Sequence, residues 1–289
     1  MLVWFLLTAV SVLFVLWDSI SNAVTSWVQR LAWVLVTLYA GPVGAFLYLL
    51  TCRRPFPGGH DLYTAPTWKQ AVNSEMRCLA GDATGIIIAA SIVPILALAN
   101  GWDMLIEYSA GFFVGLFVFQ ALMMAGMYGG RYFLAVRKTF FAETVSMNMV
   151  MAGMIPMMLI LSHLWPGSES PANPEFWFRM SLATLAGGLL AYPINYWLVA
   201  RHLKHGCMTL PGADGPAPHL GHRGHEAANA LPAESRDRHS MPGMSMASHD
   251  QMQMGHIGSL PAIGIAVGTF AILFGAIWLV SQWVPLSFA

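Results

Sequence analysis

The fold class this sequence predicts is an all-α, polytopic transmembrane helical bundle of about seven spans, a six-helix core plus one C-terminal span. Three observations carry that expectation. Hydrophobic residues make up 56% of the chain and charged residues 10%, against roughly 25% charged in an ordinary soluble domain. Seven apolar stretches meet or approach the ~20 helical residues that cross a bilayer core of about 30 Å. Twelve of the 14 Lys and Arg fall in alternate connections between those stretches, as in a chain that threads back and forth through a membrane.

The first stretch, 2–17, is short, but no Lys or Arg precedes it and no small-residue cleavage site follows, so it reads as a span and not as a signal peptide. The next five run over 31–51, 83–99, 104–128, 144–164 and 177–200. Pro42, Pro94, Pro156 and Pro193 fall inside them and read as kinks, because neighbouring helices re-satisfy the freed backbone groups. Together they make a bundle over 1–203. Residues 204–259 are rich in Pro, Gly, Ala and His and cannot bury enough apolar surface to fold alone, so they read as a disordered loop. The last stretch, 260–284, forms a C-terminal transmembrane helix within 260–289.

The cations set the expected orientation. Arg53, Arg54, Lys69 and Arg77 lie in one connection, Arg131, Arg137 and Lys138 in another, and Arg201, Lys204, Arg223, Arg236 and Arg238 in a third. The opposite connections hold acids such as Asp103, Glu169 and Glu175. The positive-inside bias then predicts a bacterial cytoplasmic membrane protein with its N-terminus inside, its C-terminus outside and the 204–259 loop in the cytoplasm. A formal net charge of zero argues against a nucleic-acid partner. Cys52, Cys78 and Cys207 are far apart, with neither a CxxC pair nor a disulfide framework.

Residues 239–256 place five methionines and three histidines in eighteen positions, interleaved with Ser, Gly, Gln and Pro, which build no core. A thioether presented to water on such a chain is a soft, neutral ligand. With imidazole it selects Cu(I) over hard cations. Met241, Met244, Met246, His249, Met252, Met254 and His256 are the candidate ligands. A compositionally biased linker is the plainer reading.

Two constellations lie within the apolar stretches. In the fifth, Met147, Met151, Met154 and Met158 share one face at about 100° per residue, and Glu143 continues that stripe one turn nearer the cytoplasm. In the fourth, Gln120, Met123 and Met127 share a face. A methionine-lined seam between the two helices is a candidate path for a soft cation, and adaptable packing accounts for the same stripe. Glu75, Cys78 and Asp82 share a helix face leading into the third span, which Gly85 and Ala89 continue with small residues that admit a neighbour closely. One reading makes these three the mouth of the path, a mixed thiolate and carboxylate site. The other makes Asp82 an interfacial carboxylate paired with Arg77 or another cation. Glu107 and His163 read as interfacial, and Arg179 as a side chain snorkelling to the headgroups.

The run Tyr192-Pro-Ile-Asn195-Tyr-Trp197, the second-span Leu38-Tyr-Ala-Gly-Pro-Val-Gly44 and the stretch from Trp68-Lys69 to Cys78-Leu-Ala-Gly81-Asp82 resemble an uncharacterised bacterial membrane family, domain of unknown function 4396, over about residues 1–208. Where many relatives carry His-Cys ahead of the Cys-x-x-Gly-Asp element, this chain has Asn73-Ser74. The resemblance implies a helical membrane fold and no particular activity.

Taken together, the residues lead to a membrane protein that handles copper(I) or another soft monovalent ion, by transport or sequestration with the Met/His loop as collector. A scaffold delivering copper to a membrane cuproenzyme, or exchanging it with a copper chaperone, is the alternative. An oxidoreductase is disfavoured, since no span carries paired haem ligands and no cofactor motif appears.

Overall fold

A computed structural model describes residues 1–96, 100–210, 213–214, 255 and 257–284. The described chain is helical: α1 (Leu2–Ser21), α2 (Trp27–Ala40), α3 (Pro42–Thr51), α4 (His60–Thr64), α5 (Thr67–Leu96), α6 (Asn100–Phe113), α7 (Ala121–Ala125), α8 (Tyr132–Leu164), α9 (Pro174–Ala200) and α10 (Ser259–Ser281). A π-helical stretch, Val114–Gln120, joins α6 to α7, and a 3-10 turn, Gly126–Tyr128, ends that rod. Among the described residues six helices are long and apolar enough to cross a membrane: α1, α5, the α6–α7 rod, α8, α9 and α10.

The expected span at 31–51 is instead a helical hairpin. Gly41 takes φ +60° and Pro42 opens α3 at its first turn, a left-handed stop followed by a ring preset for a new helix. The two arms run antiparallel. Trp33 meets Tyr48 edge to face at 5.6 Å, and a Cβ on Gly44 would lie 2.8 Å from the Thr37 Cα. The tip rests on α1, where a Cβ at Gly41 would lie 2.8 Å from Thr8 Oγ1 and from the Trp4 ring. Pro42 is therefore a helix start and not a kink within a span.

Because the hairpin returns to the end it left, the C-terminal end of α1 lies with the cation-bearing connections. Leu210 N–H donates to Val24 O at 2.8 Å, Thr25 bridges Thr209, and Arg53 Nε lies 3.2 Å from Asp18 Oδ1. At the other end Trp4 reaches Ser181 at 3.4 Å and packs against Phe178. The first and last helices thus place their outer ends, Leu2 and Ser281, at the same end of the bundle. This corrects the expectation of termini on opposite sides. Arg30, an exception to the cation pattern when 31–51 is one span, joins the others, and among the described Lys and Arg only Arg179 lies at the opposite end.

Two spans also start earlier than their hydropathy suggests. α5 begins at Thr67 and α8 at Tyr132, so Asp82 lies midway along α5 and not near a boundary. The polar side chains of 67–82 escaped a hydropathy reading because they face protein: Asn73, Ser74, Glu75, Arg77 and Asp82 are all buried. Residues 204–210, read from sequence as the start of the loop, return into the bundle, with Lys204, His205 and Cys207 buried.

The hairpin has a direct topological consequence. In sealed vesicles of one orientation, an impermeant maleimide will label Ser21→Cys and Phe56→Cys from one face and Glu169→Cys from the other. A true crossing at 31–51 would put positions 21 and 56 on opposite faces.

Candidate metal centre and a buried carboxylate cluster

Cys52 caps α3, His60 opens α4, and Cys207 lies on the segment that re-enters after α9. One ligand atom from each falls within 4.8 Å of the other two, and all three side chains are buried. The sulfurs are 3.4 Å apart, and Cys207 Sγ is 3.8 Å from His60 Nε2. Those separations match ligand atoms around one ion with bonds of about 2.0–2.3 Å. Outer partners fix the set. His60 Nδ1 meets Thr209 Oγ1 at 2.7 Å and its Nε2 meets the Cys52 carbonyl at 3.0 Å, the Cys207 carbonyl accepts from Gln70 at 3.1 Å, and the backbone N–H of His60 donates to Asp214 at 2.8 Å. Hydrogen bonds of this kind orient metal ligands.

Burial alone would raise the Cys52 thiol pKa, but hydrogen bonds from Cys207 and His60, with the charge of His60, bring it down to about 6. Burial would lower the His60 pKa, but its contacts with Cys52 hold it above the ordinary value. The centre therefore favours a Cys52 thiolate beside an imidazolium, while the hydrogen bond to Cys52 and burial push the Cys207 thiol well above its ordinary range. A metal ion would have to displace the protons of Cys207 and His60 to gain two thiolates and an imidazole. Two thiolates and an imidazole suit a soft or borderline ion of low coordination number, Cu(I) or Zn(II). Sequence reasoning missed this centre, since its members are separated by loops and by most of the chain.

The candidate mouth is found assembled, with a cation of the protein's own inside it. Lys204 Nζ donates to Cys78 Sγ at 2.9 Å and to Asn195 Oδ1 at 3.2 Å, and lies 3.5 Å from Glu143 Oε2. Cys78 in turn donates to Glu143 at 3.3 Å. Glu75, Asp82 and Glu143 are fully or almost fully buried, and all feel the charge of Lys204. The residues expected at the mouth thus surround an ammonium of the protein's own, ion-paired to Glu143. The alternative pairing of Asp82 with Arg77 is not made either. Arg77 gives its hydrogen bonds to Gln29, Gln120 and the carbonyls of His205 and Gly206.

Close helix approach shapes the cluster. Cβ atoms on Gly81 and Gly85 would collide with Gly115 and with Ala110–Gly111, so α5 packs directly on the α6–π rod, as small residues permit. Over Gly115 the carboxylates of Asp82 and Glu143 converge. A Cβ there would overlap Asp82 Oδ1 and lie 2.7 Å from Glu143 Oε1.

Met147, Met151, Met154 and Met158 are buried together in the main core. Their neighbours differ along the stripe: Met147 packs at Gly111 of α6, and Met154 at Gly187 of α9. Gln120 turns to Arg77, and Met123 accepts a hydrogen bond from Ser26 at 3.0 Å. Both therefore turn toward α2 and α5, since Ser26 caps α2 and Arg77 of α5 also reaches Gln29 of α2. The Met127 side chain and Met241, Met244, Met246, His249, Met252, Met254 and His256 lie outside the described residues. Flanking residues 210 and 255 both sit at the cation-rich end, through Leu210 to Val24 and Gly255 to His202.

Residues 67–204 match the family described as a domain of unknown function (DUF4396). That stretch runs from the start of α5 to Lys204 and so contains the whole carboxylate cluster. Asn195 of its Tyr-Pro-x-Asn element accepts from both Ser146 and Lys204. Cys52, His60, Cys207 and the second-span run 38–44 fall outside it, so the match is narrower than the resemblance over 1–208. Comparison with curated proteins and with solved structures found no match for the chain.

Removing one member of a buried ion pair strands the other, at a cost of about 3–5 kcal/mol. Lys204→Met should lower the melting temperature accordingly, and adding Glu143→Gln should recover part of the loss. A pH effect is expected at His205, whose pKa burial and the nearby Arg77 charge hold at about 4, below the usual 6.5. The unfolded chain then binds a proton that the folded one refuses. The stability from neutral His205 is complete above pH 6.5 and is lost as pH falls from 6.5 toward 4. Melting of His205→Gln across that window should be less pH-dependent than that of the unsubstituted protein.

Proposed function

We propose that this protein handles a soft metal ion at the membrane, Cu(I) foremost, by transport or sequestration. The convergence of Cys52, His60 and Cys207 carries the proposal. Two thiols and an imidazole within one coordination sphere discriminate against Mg²⁺ and Ca²⁺, which take oxygen ligands. The Met/His run supports the same ion by independent chemistry, and it begins 32 positions after Cys207 in the same connection. In this reading the run collects metal and the Cys52–His60–Cys207 centre holds it more tightly.

The positive-inside bias makes the cation-rich end cytoplasmic in a bacterial inner membrane. The centre and both anchors of the Met/His segment then face the cytoplasm, and Leu2 and Ser281 lie toward the outside. Met147, Met151, Met154 and Met158 supply thioethers farther along the bundle for the transporting form of the proposal. Delivery to a membrane cuproenzyme or a copper chaperone would use the same centre without flux.

Metal counting on the full chain in nanodiscs tests the reading. The unsubstituted protein should retain copper through dialysis against a mild chelator, and Cys52→Ser with Cys207→Ser should lose it. Replacing the five methionines of 239–256 with Leu should remove only the more weakly held metal. Equal copper in all three proteins would defeat the proposal, and zinc retained in place of copper would keep the centre while changing its ion. Flux into sealed vesicles then separates transport from sequestration or delivery.

A further inference from the structure

The carboxylate cluster carries more negative charge than its neighbours offset, and this imbalance has its own consequence. We propose that Asp82 and Glu143 form an intramembrane proton-binding site, a carboxylate pair holding one exchangeable proton with Lys204 as its fixed counter-ion. The inference stands apart from the metal reading, since it uses none of Cys52, His60 or Cys207.

Asp82 is fully buried midway along α5, and neither of its oxygens has a hydrogen-bond donor among the described residues. Glu143 Oε1 and Glu75 Oε1 also lack one. On α8 itself Ser146 gives its hydroxyl to Asn195 and Asn148 its amide to Thr269. From α5 come Glu75, Arg77 and Cys78. From α6 comes Tyr108, whose hydroxyl is given to Asn148 at 2.7 Å. The π stretch offers Gln120, which serves Arg77, and α9 offers Tyr192 and Asn195. The segment after α9 supplies Lys204 and His205. Lys204 is spent on Cys78, Asn195 and Glu143, and Arg77 on carbonyl and amide oxygens.

Three carboxylates thus share one ammonium in contact, with the charge of the Arg77 guanidinium acting on Glu143 from farther off, so the acids still outnumber the cations. An isolated ionised carboxylate in a low-dielectric interior is so costly that it takes up a proton instead. Two neighbouring carboxylates do so most readily on one of the pair, because both cannot ionise together. Gly115 completes the geometry: with no side chain there, Asp82 Oδ1 and Glu143 Oε1 meet over bare backbone. It sits in a π-helical stretch, a form that recurs at functional sites. Ionisable groups inside a membrane bundle commonly mark proton relays. Lys204 and His205, whose Nε2 has no partner among the described residues, lie on the segment that follows α9.

A bilayer-soluble carbodiimide tests the inference on unmodified protein in nanodiscs. It adds to a protonated carboxyl to give an O-acylisourea, which rearranges to a stable N-acylurea that retains every atom of the reagent. Peptide mapping near neutral pH should find the adduct on Asp82 or Glu143, fading as pH rises. Infrared spectra should show a protonated-carboxyl C=O band that disappears in Asp82→Asn and persists in Glu107→Gln. If Asp82→Asn does not fold, the pH dependence of adduct and band in the unsubstituted protein decides. Neither adduct on these two residues nor a carboxyl band near neutral pH would overturn the proposal. So would protection from labelling by sodium ions at constant pH, which would make this a metal-cation site.

Discussion

The guanidinium of Arg77 lies fully buried in the first half of α5, and its donors reach Gln29 of α2, Gln120 of the π stretch and the carbonyls of His205 and Gly206. A buried cation needs its donors met, and unmet donors on a charged group are costly. Two of the acceptors here are backbone, which forces the chain after α9 back into the bundle. That return sets Lys204 against the carboxylates and, three residues later, Cys207 against Cys52 and His60. Both constellations therefore depend on one side chain that belongs to neither.

The two constellations divide the chemistry by location. Sulfur and imidazole gather at the cation-rich end, in a centre braced by Asp214, Thr209 and Gln70. Carboxylates gather deeper, where α5 and the α6–π rod touch through Gly81, Gly85, Gly111 and Gly115. Such contact brings the carboxylates of Asp82 and Glu143 together over Gly115, with the ammonium of Lys204 against Glu143. Cys78 links Glu143 to Lys204 through hydrogen bonds.

Much of the fold could be read from sequence because apolar length and cation placement are local signals. Where that reading failed, polar residues faced protein in place of lipid. Residues 67–82 carry Asn73, Glu75, Arg77 and Asp82, and no hydropathy average recognises a helix whose polar side is buried in its neighbours. At 31–51 the apolar run was continuous, yet Gly41-Pro42 was a visible turn signal that the kink reading passed over. The shared face of Glu75, Cys78 and Asp82 was legible from helical spacing, but Lys204 was not, being 122 positions beyond Asp82. Cys52, His60 and Cys207 carried no spacing signature at all. Their meeting is a product of the hairpin and of the returning segment, which only tertiary structure supplies.

The hairpin also bears on how the chain enters a bilayer. Its arms have 14 and 10 residues, about 21 and 15 Å of helix against a hydrocarbon core of about 30 Å. Neither arm is long enough to be held across lipid on its own. Gln29 and Trp33 depend on Arg77 and Asn73 of α5, and Tyr48 on Asp18 of α1, for their polar contacts. Those partners must be in place before the arms can settle, and α5 is made later in the chain. Assembly is thus out of sequence order: the amino-terminal quarter reaches its final packing only after the helix that follows it has crossed.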